Sequence, residues 1–444
     1  MISILIVGAG KSSTYLIDTL LKNTTKRVNK WNVVVADNDE NNLKSKTQNY
    51  PNAQIVVLDI NNTAQRQQLV RNADMVISLM PPNLHILLAL DCLQFKKNLI
   101  TSSYASEEMR ALGQKVKDAG LMFMCEMGLD PGIDHMTASN IFTRIRRVGS
   151  DIVSFKSFCG GLIAPESDNN PWHYKFSWNP KNIINAGKDG AHFLQSGNKI
   201  HLPYEQLFDH NQTIDCKGVG PLAYYANRDS LGYIDLYDVH EASDFLRATL
   251  RHPDFCKGWD AIIKMGITNN ENLIDTNNLT FYAWISQVVG YNDSSISLKD
   301  FIWNKINLSD TKVKGMLEWL GIFSGDLINK GRMSSGEILL DLLNEKWRME
   351  EADKDMVVMQ HEIEYAHKGY TNKMVSSMVV KGENSDFSAM AKTVGLPMAI
   401  LTELILNNNI KAPTGVLIPT MSEIYRPILN RLEKCGIEFT ETIS

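Results

Sequence analysis

Ile2-Ser3-Ile4-Leu5-Ile6-Val7-Gly8-Ala9-Gly10-Lys11-Ser12-Ser13 opens the chain with a β-branched run, a glycine turn and the start of a helical segment. A strand that runs into G-x-G and then a helix is the entrance of a βαβ unit whose first turn receives a dinucleotide pyrophosphate. Gly8 permits the tight turn. Gly10 lets a phosphate approach the backbone N–H groups at the positive end of the helix, alongside Lys11 and Ser12. Ser13 stands where a third glycine is usual and is small enough for the helix to close on the strand. The phosphate-loop alternative fails, because Leu5 occupies the position of its first glycine.

Outward from this turn, short apolar runs (Trp31 to Ala36, Ala53 to Leu58, Met75 to Leu79, Leu99 to Thr101, Leu121 to Cys125) alternate with helical segments (Lys11 to Leu21, Ala64 to Val70, Leu84 to Phe95, Glu107 to Asp118). This alternation predicts an α/β chain with a Rossmann-like, doubly wound parallel sheet. Its strands should be covered on both faces. Asp37 ends the second run, where an acid accepts from the adenosine ribose hydroxyls and repels a 2′-phosphate. That reading favours NAD and leaves NADP open; the alternative is an acid capping the next turn. Asp59, with Ile60 beside it, takes the adenine-edge position, against the alternative of a turn residue. Leu79 and Met80, before Pro81-Pro82, are expected as backbone neighbours of the nicotinamide half.

The chain has 444 residues, 44% hydrophobic and 21% charged, with 45 Lys plus Arg against 50 Asp plus Glu. It can bury a large core. A net charge of −5 argues against nucleic acid or an anionic membrane as the main partner. No run of about 18 apolar residues is evident. Met1 leads straight into the first strand without a basic leader, and the six cysteines form no C-x-x-C pair. A soluble, cytoplasmic, reduced protein without a structural metal is the expectation.

The division expected is a nucleotide domain over 1–130, rejoined by 388–444; an α+β substrate domain over 131–241 and 345–387; and a helical insertion over 242–344. Met356 to Ala366 and Lys373 to Val380 read as a hairpin. Gly395 and Pro397 should break or kink a buried helix over Ser388 to Leu406. The stretch around Trp172, Tyr174, Phe176 and Trp178 is too aromatic for a linker and reads as an ordered loop of the kind that lines sites.

Seven strings stand in order along the chain. They are Thr101-Ser102-Ser103-Tyr104, Gly128-Leu129-Asp130-Pro131-Gly132-Ile133-Asp134-His135, Cys159-Gly160-Gly161, Tyr174-Lys175-Phe176-Ser177-Trp178, Asn227-Arg228-Asp229-Ser230, Thr249-Leu250-Arg251 and Ser388-Ala389-Met390-Ala391-Lys392-Thr393-Val394-Gly395. Together they resemble the glutamate-forming saccharopine dehydrogenase family over essentially the whole chain. The resemblance implies oxidation of the secondary amine of saccharopine by a nicotinamide cofactor and water to glutamate and 2-aminoadipate 6-semialdehyde, or the reverse condensation, within lysine metabolism. It also leaves room for a homodimer, which the sequence itself does not show. Fungal members use NADP with Arg-Thr-type residues at the ribose; Ala36-Asp37-Asn38 is instead similar to the animal NAD pattern.

By the same resemblance, Ser102, Ser103, Leu129, Asp130, Pro131 and Trp178 border the cofactor. Ser103, Tyr104, Asp130, Arg228, Thr249, Leu250 and Arg251 take the substrate. Asp130 is the candidate for binding amino groups and moving a proton, although an aspartate in Asp-Pro-Gly also simply fixes turns. Tyr104 and Cys159 are secondary proton relays, and Cys159 reads equally as a small buried residue. Saccharopine carries three carboxylates, which guanidinium groups bind bidentately; hence Arg228 and Arg251. Lys175 is a further candidate for a carboxylate. His361-Glu362-Ile363-Glu364-Tyr365-Ala366-His367 is not a zinc motif, and His173 reads as a loop hydrogen-bonder. Two other functions stay open: a carboxyspermidine-type imine reductase and a non-catalytic dinucleotide sensor.

Overall fold

The computed structural model describes residues 1–25, 31–51, 53–292 and 295–444. Its first sheet contains β1 (Ile2–Val7), β2 (Trp31–Asp37), β3 (Gln54–Val57), β4 (Met75–Ser78), β5 (Asn98–Thr101) and β6 (Met122–Met124). The spatial order is β6-β5-β4-β1-β2-β3, all parallel, with Gly415–Leu417 added beside β6 as a seventh strand. This is the doubly wound order, whose crevice opens where connections leave β1 and β4 in opposite directions. The glycine turn and Leu79-Met80 therefore meet at the same point. Interior strands are buried as expected, but β3 is an edge strand with Ile55 and Val57 exposed. Covering on both faces is therefore incomplete at this edge, although helix Glu40–Thr47 packs against the strand.

The turn after β1 is a short 3-10 segment (Lys11–Ser13), and the α-helix begins only at Thr14. Glu107 to Asp118 divides into two helices, Glu107–Ala111 and Gly113–Asp118.

The second sheet is mixed, with Asp151–Ile163 at its centre. Asp244–Arg251 lies parallel on one side of it and Asp355–His367 antiparallel on the other. The expected hairpin is present, Asp355–His367 turning back as Tyr370–Lys381. Gly220–Ala226 and Gln212–Cys216 extend the opposite edge.

The boundary set at 242 needs correction, since Asp244–Arg251 is a sheet strand and the helical insertion starts at Pro253. The alternation of this strand was hidden because both of its faces are covered. The insertion also holds a small pair of strands, Leu273–Asp275 with Arg332–Ser334. Its helices have local stop signals: Thr280, Ser297 and Asp310 cap N-termini, Ser334 forms a capping box with Glu337, and Gly290 and Gly321 end helices in left-handed conformation.

In the C-terminal segment, Gly415–Leu417 joins the first sheet and helix Ala389–Leu406 packs on Thr14–Thr25, whereas Thr440–Ile443 pairs with Tyr370–Lys381 of the second sheet. Helix Ala389–Leu406 runs through Gly395 and Pro397 without the break that was one of the two expected outcomes. A Cβ on Gly395 would stand 2.7 Å from the backbone nitrogen of Leu16, so glycine is there to let this helix lie against Thr14–Thr25. That packing outweighs the bond lost at Pro397. This helix also has the length and hydropathy of a membrane-crossing segment, which the sequence reading overlooked; 72% of it is buried inside the fold.

Candidate active site

A cavity of about 1060 Å³ runs between the two sheets. It slightly exceeds the roughly 300–1,000 Å³ of an ordinary small-ligand site, leaving room for a cofactor and a substrate together. Every predicted site residue except Leu250 and Lys175 lines it.

The first-domain wall carries Gly8, Gly10, Lys11, Ser12, Ser13, Asp37, Asp59, Ile60, Leu79 and Met80. Gly8 has φ +109°, and a Cβ there would touch Leu79 at 3.0 Å, while a Cβ on Gly10 would meet open cavity. An open space at the second glycine is the cradle a pyrophosphate fills, so these residues fit a dinucleotide. Asp37 braces the turn: Ala9 donates its N–H to one carboxylate oxygen at 2.6 Å and Asp39 to the other at 2.9 Å. Lys11 donates through Nζ to the Phe176 carbonyl at 2.7 Å, tying the turn to the second domain.

The connecting wall is built by Ser102, Ser103, Tyr104, Leu129, Asp130 and Pro131. Gly132 has φ +147°, and a Cβ there would fall 2.1 Å from the Gly128 carbonyl oxygen, so only glycine closes this turn. Tyr104 donates to Asp130 Oδ1 at 2.9 Å. The same oxygen accepts from Arg247 at 2.6 Å, and Arg247 also reaches Asp134 Oδ2 at 2.6 Å. Arg247 was missed by the sequence reading. It lies between quoted motifs, and nothing local separates it from a surface charge. His85 was missed too; its two ring nitrogens bond Ser78 Oγ and Ser103 Oγ and so fix Ser103.

Burial, the largest influence on Asp130, holds its carboxyl above the usual range although Arg247 pulls the other way; Asp134 beside it adds to the rise. Asp134 feels the same burial, but His135, Arg247 and the Gly132 N–H bring it below the usual range. Behind them, Glu126 is held low, because hydrogen bonds from His135, the Ala105 N–H and Tyr233 outweigh its burial. The two neighbouring carboxyls are thus pushed in opposite directions, Asp130 up and Asp134 down.

The second-sheet wall carries Cys159, Trp178, Arg228, Thr249 and Arg251, together with Lys181, which the sequence reading did not single out. Arg251 is 4% exposed. Its guanidinium gives a hydrogen bond to the Leu250 carbonyl at 2.8 Å and lies 5.3 Å from the Tyr174 ring, and its Nε has no partner. No carboxylate pairs with it among the described residues. Arg228 is more open, has φ +53° and lies 5.5 Å from the Tyr104 ring.

Several expectations are corrected here. Leu250 alternates away from Thr249 and Arg251 and is buried in the core. Lys175 is buried against Asp353 at 2.6 Å and is not free for a substrate. Of the aromatic loop, Trp172, Tyr174 and Phe176 pack in the core and only Trp178 reaches the cavity. Burial raises the Tyr104 phenol and the Cys159 thiol well above their usual ranges. The Tyr104 hydroxyl donates to Asp130 Oδ1, and Cys159 lies in the wall as a buried free thiol.

Residues 4–124 match the saccharopine dehydrogenase NADP binding domain and residues 128–437 the saccharopine dehydrogenase C-terminal domain. The chain is 32% identical to "Saccharopine dehydrogenase [NADP(+), L-glutamate-forming]" of Saccharomyces cerevisiae, covering 99% of this chain and 98% of that one. It is 33% identical to the mitochondrial alpha-aminoadipic semialdehyde synthase of Bos taurus over 98% of this chain, but spans only 47%, about half, of that longer protein. The structure of apo saccharopine dehydrogenase (L-Glu forming) from Saccharomyces cerevisiae superposes with a TM-score of 0.87 at 31% identity, with both chains covered in full. The chain belongs to the saccharopine dehydrogenase family.

Proposed function

We propose that this chain oxidises the secondary amine of saccharopine with a nicotinamide dinucleotide, releasing L-glutamate and 2-aminoadipate 6-semialdehyde, and that it also runs the reverse condensation. The observation that carries the reading is Arg251, a buried guanidinium at the cavity wall with no anionic partner among the described residues. A buried charge without a counterion is costly unless a ligand supplies one. A substrate carboxylate answers that need, and Arg228 and Lys181 on the same wall suit the others.

The proton chemistry falls to Asp130. Its raised carboxyl, braced by Tyr104 and Arg247 on Oδ1, leaves Oδ2 without a protein partner among the described residues. That oxygen takes the proton from the substrate ammonium, freeing the nitrogen lone pair. A nicotinamide held on the first-domain wall would supply the acceptor for the hydride of the adjacent carbon. Water then adds to the imine carbon, and Asp130 returns a proton to nitrogen as the carbinolamine collapses to aldehyde and amine. The cavity walls would hold the reacting groups together, with Gly8, Gly10 and Lys11–Ser13 as the residues that would hold the diphosphate.

The finer cofactor reading is NAD. The curated fungal relatives are named for NADP(+). Here, however, Asp37 and Asp59 supply two carboxylates at the ribose and adenine positions, and Lys11, the cation of that wall, is engaged by Phe176. A 2′-phosphate is disfavoured beside these acids.

Mixing the protein with saccharopine and NAD or NADP while following the absorbance of reduced nicotinamide tests the proposal. Turnover with saccharopine is expected, faster with NAD. Activity solely on a carboxyspermidine-type adduct, or cofactor binding without turnover, would replace the reading with imine reduction or sensing. Asp37→Asn keeps an acceptor for the Ala9 N–H but removes the charge, so the ratio of NAD to NADP kcat/KM should fall. An unchanged ratio would free Asp37 from the ribose role.

A further inference from the structure

Two histidines distant in sequence face each other across the outer side of the substrate wall. His173 lies in the aromatic loop and His252 directly follows Arg251. Their ring centroids are 3.8 Å apart. Asp254, in the first turn of helix Pro253–Lys264, completes the group: its Oδ2 is 3.6 Å from His173 Nε2 and 3.3 Å from His252 Nδ1. The three donor atoms all lie within 4.8 Å of one another.

We propose that His173, His252 and Asp254 form a binding site for a divalent transition metal, zinc above all. Two imidazole nitrogens and a carboxylate oxygen are a zinc donor set, and three protein ligands leave a fourth position for water. Ligand atoms at 2.0–2.1 Å from a tetrahedral ion stand roughly 3.3 Å apart, close to the 3.6 and 3.3 Å that Asp254 Oδ2 already keeps from the two imidazole nitrogens. The second observation lies behind His173, where Asp168 Oδ2 is 2.6 Å from Nδ1. A proton on Nδ1 shared with that carboxylate leaves the Nε2 lone pair for the metal, the carboxylate–histidine–metal arrangement that orients ligands. Sequence reading set His173 aside because its partners lie far along the chain and only the fold assembles them.

Metal entry exchanges two existing contacts. Lys312 Nζ sits 2.5 Å from Asp254 Oδ2, but its side chain is 59% exposed and can turn into water. The Asp254 N–H reaches His252 Nδ1 at 3.3 Å, a long helix cap that ligation replaces. An ion here would pin the aromatic loop to the start of helix Pro253–Lys264. These are the two segments that flank Arg251, since Tyr174 follows His173 and lies under the guanidinium. The metal is thus a clasp outside the cavity, and its presence does not depend on which substrate the cavity takes.

The test uses the tag-free full chain, stripped with chelator and titrated with Zn²⁺ by calorimetry and with Co²⁺ by visible d–d absorption. About one equivalent per chain is expected to bind, by the three-ligand geometry. His173→Ala and His252→Ala should each abolish it, with thermal melts verifying that the variants fold. Asp168→Asn should weaken binding about 10–100-fold, the usual effect of losing such a partner. Lys312→Met should tighten it by removing the competing ammonium, and this variant with Asp168→Asn decides the matter should the histidine variants not fold. Undiminished Co²⁺ absorption in the His173→Ala/His252→Ala double variant, no binding by the parent chain, or weaker binding in Lys312→Met would overturn the proposal.

Discussion

Arg251 concentrates the functional argument in one side chain. Burial strips water from its guanidinium, and the surrounding Tyr174, Phe255 and Leu250 carbonyl supply no negative charge. A charge-assisted pair with a substrate carboxylate contributes about 1.5–3 kcal/mol net. At about 1.4 kcal/mol per tenfold, Arg251→Ala should raise the substrate KM roughly 10–100-fold. Cofactor affinity should hold, because Arg251 stands on the second-sheet wall. Arg251→Lys should recover only part of the loss, since an ammonium lacks the planar fork. Steady-state kinetics at saturating cofactor, with a separate cofactor titration, give the answer; an unaltered KM or a parallel loss of cofactor binding would dismiss Arg251 as the carboxylate anchor.

At the scale of elements, the contact between helices Thr14–Thr25 and Ala389–Leu406 governs the cofactor turn. Gly395 lies against the backbone of Leu16, three residues beyond Ser13. Gly395→Ala meets main chain rather than a yielding side chain, so the helices must separate. Overpacking of this kind costs about 1–3 kcal/mol. The melting temperature should fall and the cofactor Kd rise together, because displacement of the first helix moves the Lys11–Ser13 turn. A lower melting temperature with unchanged Kd would uncouple the two. The same glycine marks what sequence could not tell. In isolation it reads as a helix breaker, and its value appears only with a partner helix from the other end of the chain. By contrast, the β1 glycine turn and the Asp130-Pro131-Gly132 turn were legible as turns, because the residues that shape them are adjacent. Arg247 and the Asp168–His173–His252–Asp254 group were not, since their meaning is made by pairs that the topology joins. Asp244–Arg251 was misread for a related reason: a strand covered on both faces loses the period of two by which exposed strands announce themselves.

Over the whole molecule, His361 marks the seam where three parts of the chain meet. It lies on strand Asp355–His367, next to the central strand of the second sheet, bonds Thr137 Oγ1 of helix Ile133–Arg147 through Nε2 at 2.7 Å, and stacks against Phe439 of the C-terminal segment. Burial pushes its pKa down to about 4, and His85 beneath the cofactor wall is likewise pushed down to about 4. An unfolded histidine titrates near 6.5, so between these values the unfolded chain takes up a proton that the folded chain refuses. The contribution to stability is complete above about pH 6.5 and is lost as pH falls toward 4, by about 3 kcal/mol for a shift of this size. His361→Gln keeps a polar partner for Thr137 but cannot take up that proton. Its melting temperature should therefore decline less than that of the parent chain between pH 6.5 and 4, while carboxyl groups common to both proteins cancel in the comparison. Parallel declines would mean that His361 is hydrated enough to protonate in place, and that the seam between helix Ile133–Arg147 and the second sheet opens to water without unfolding.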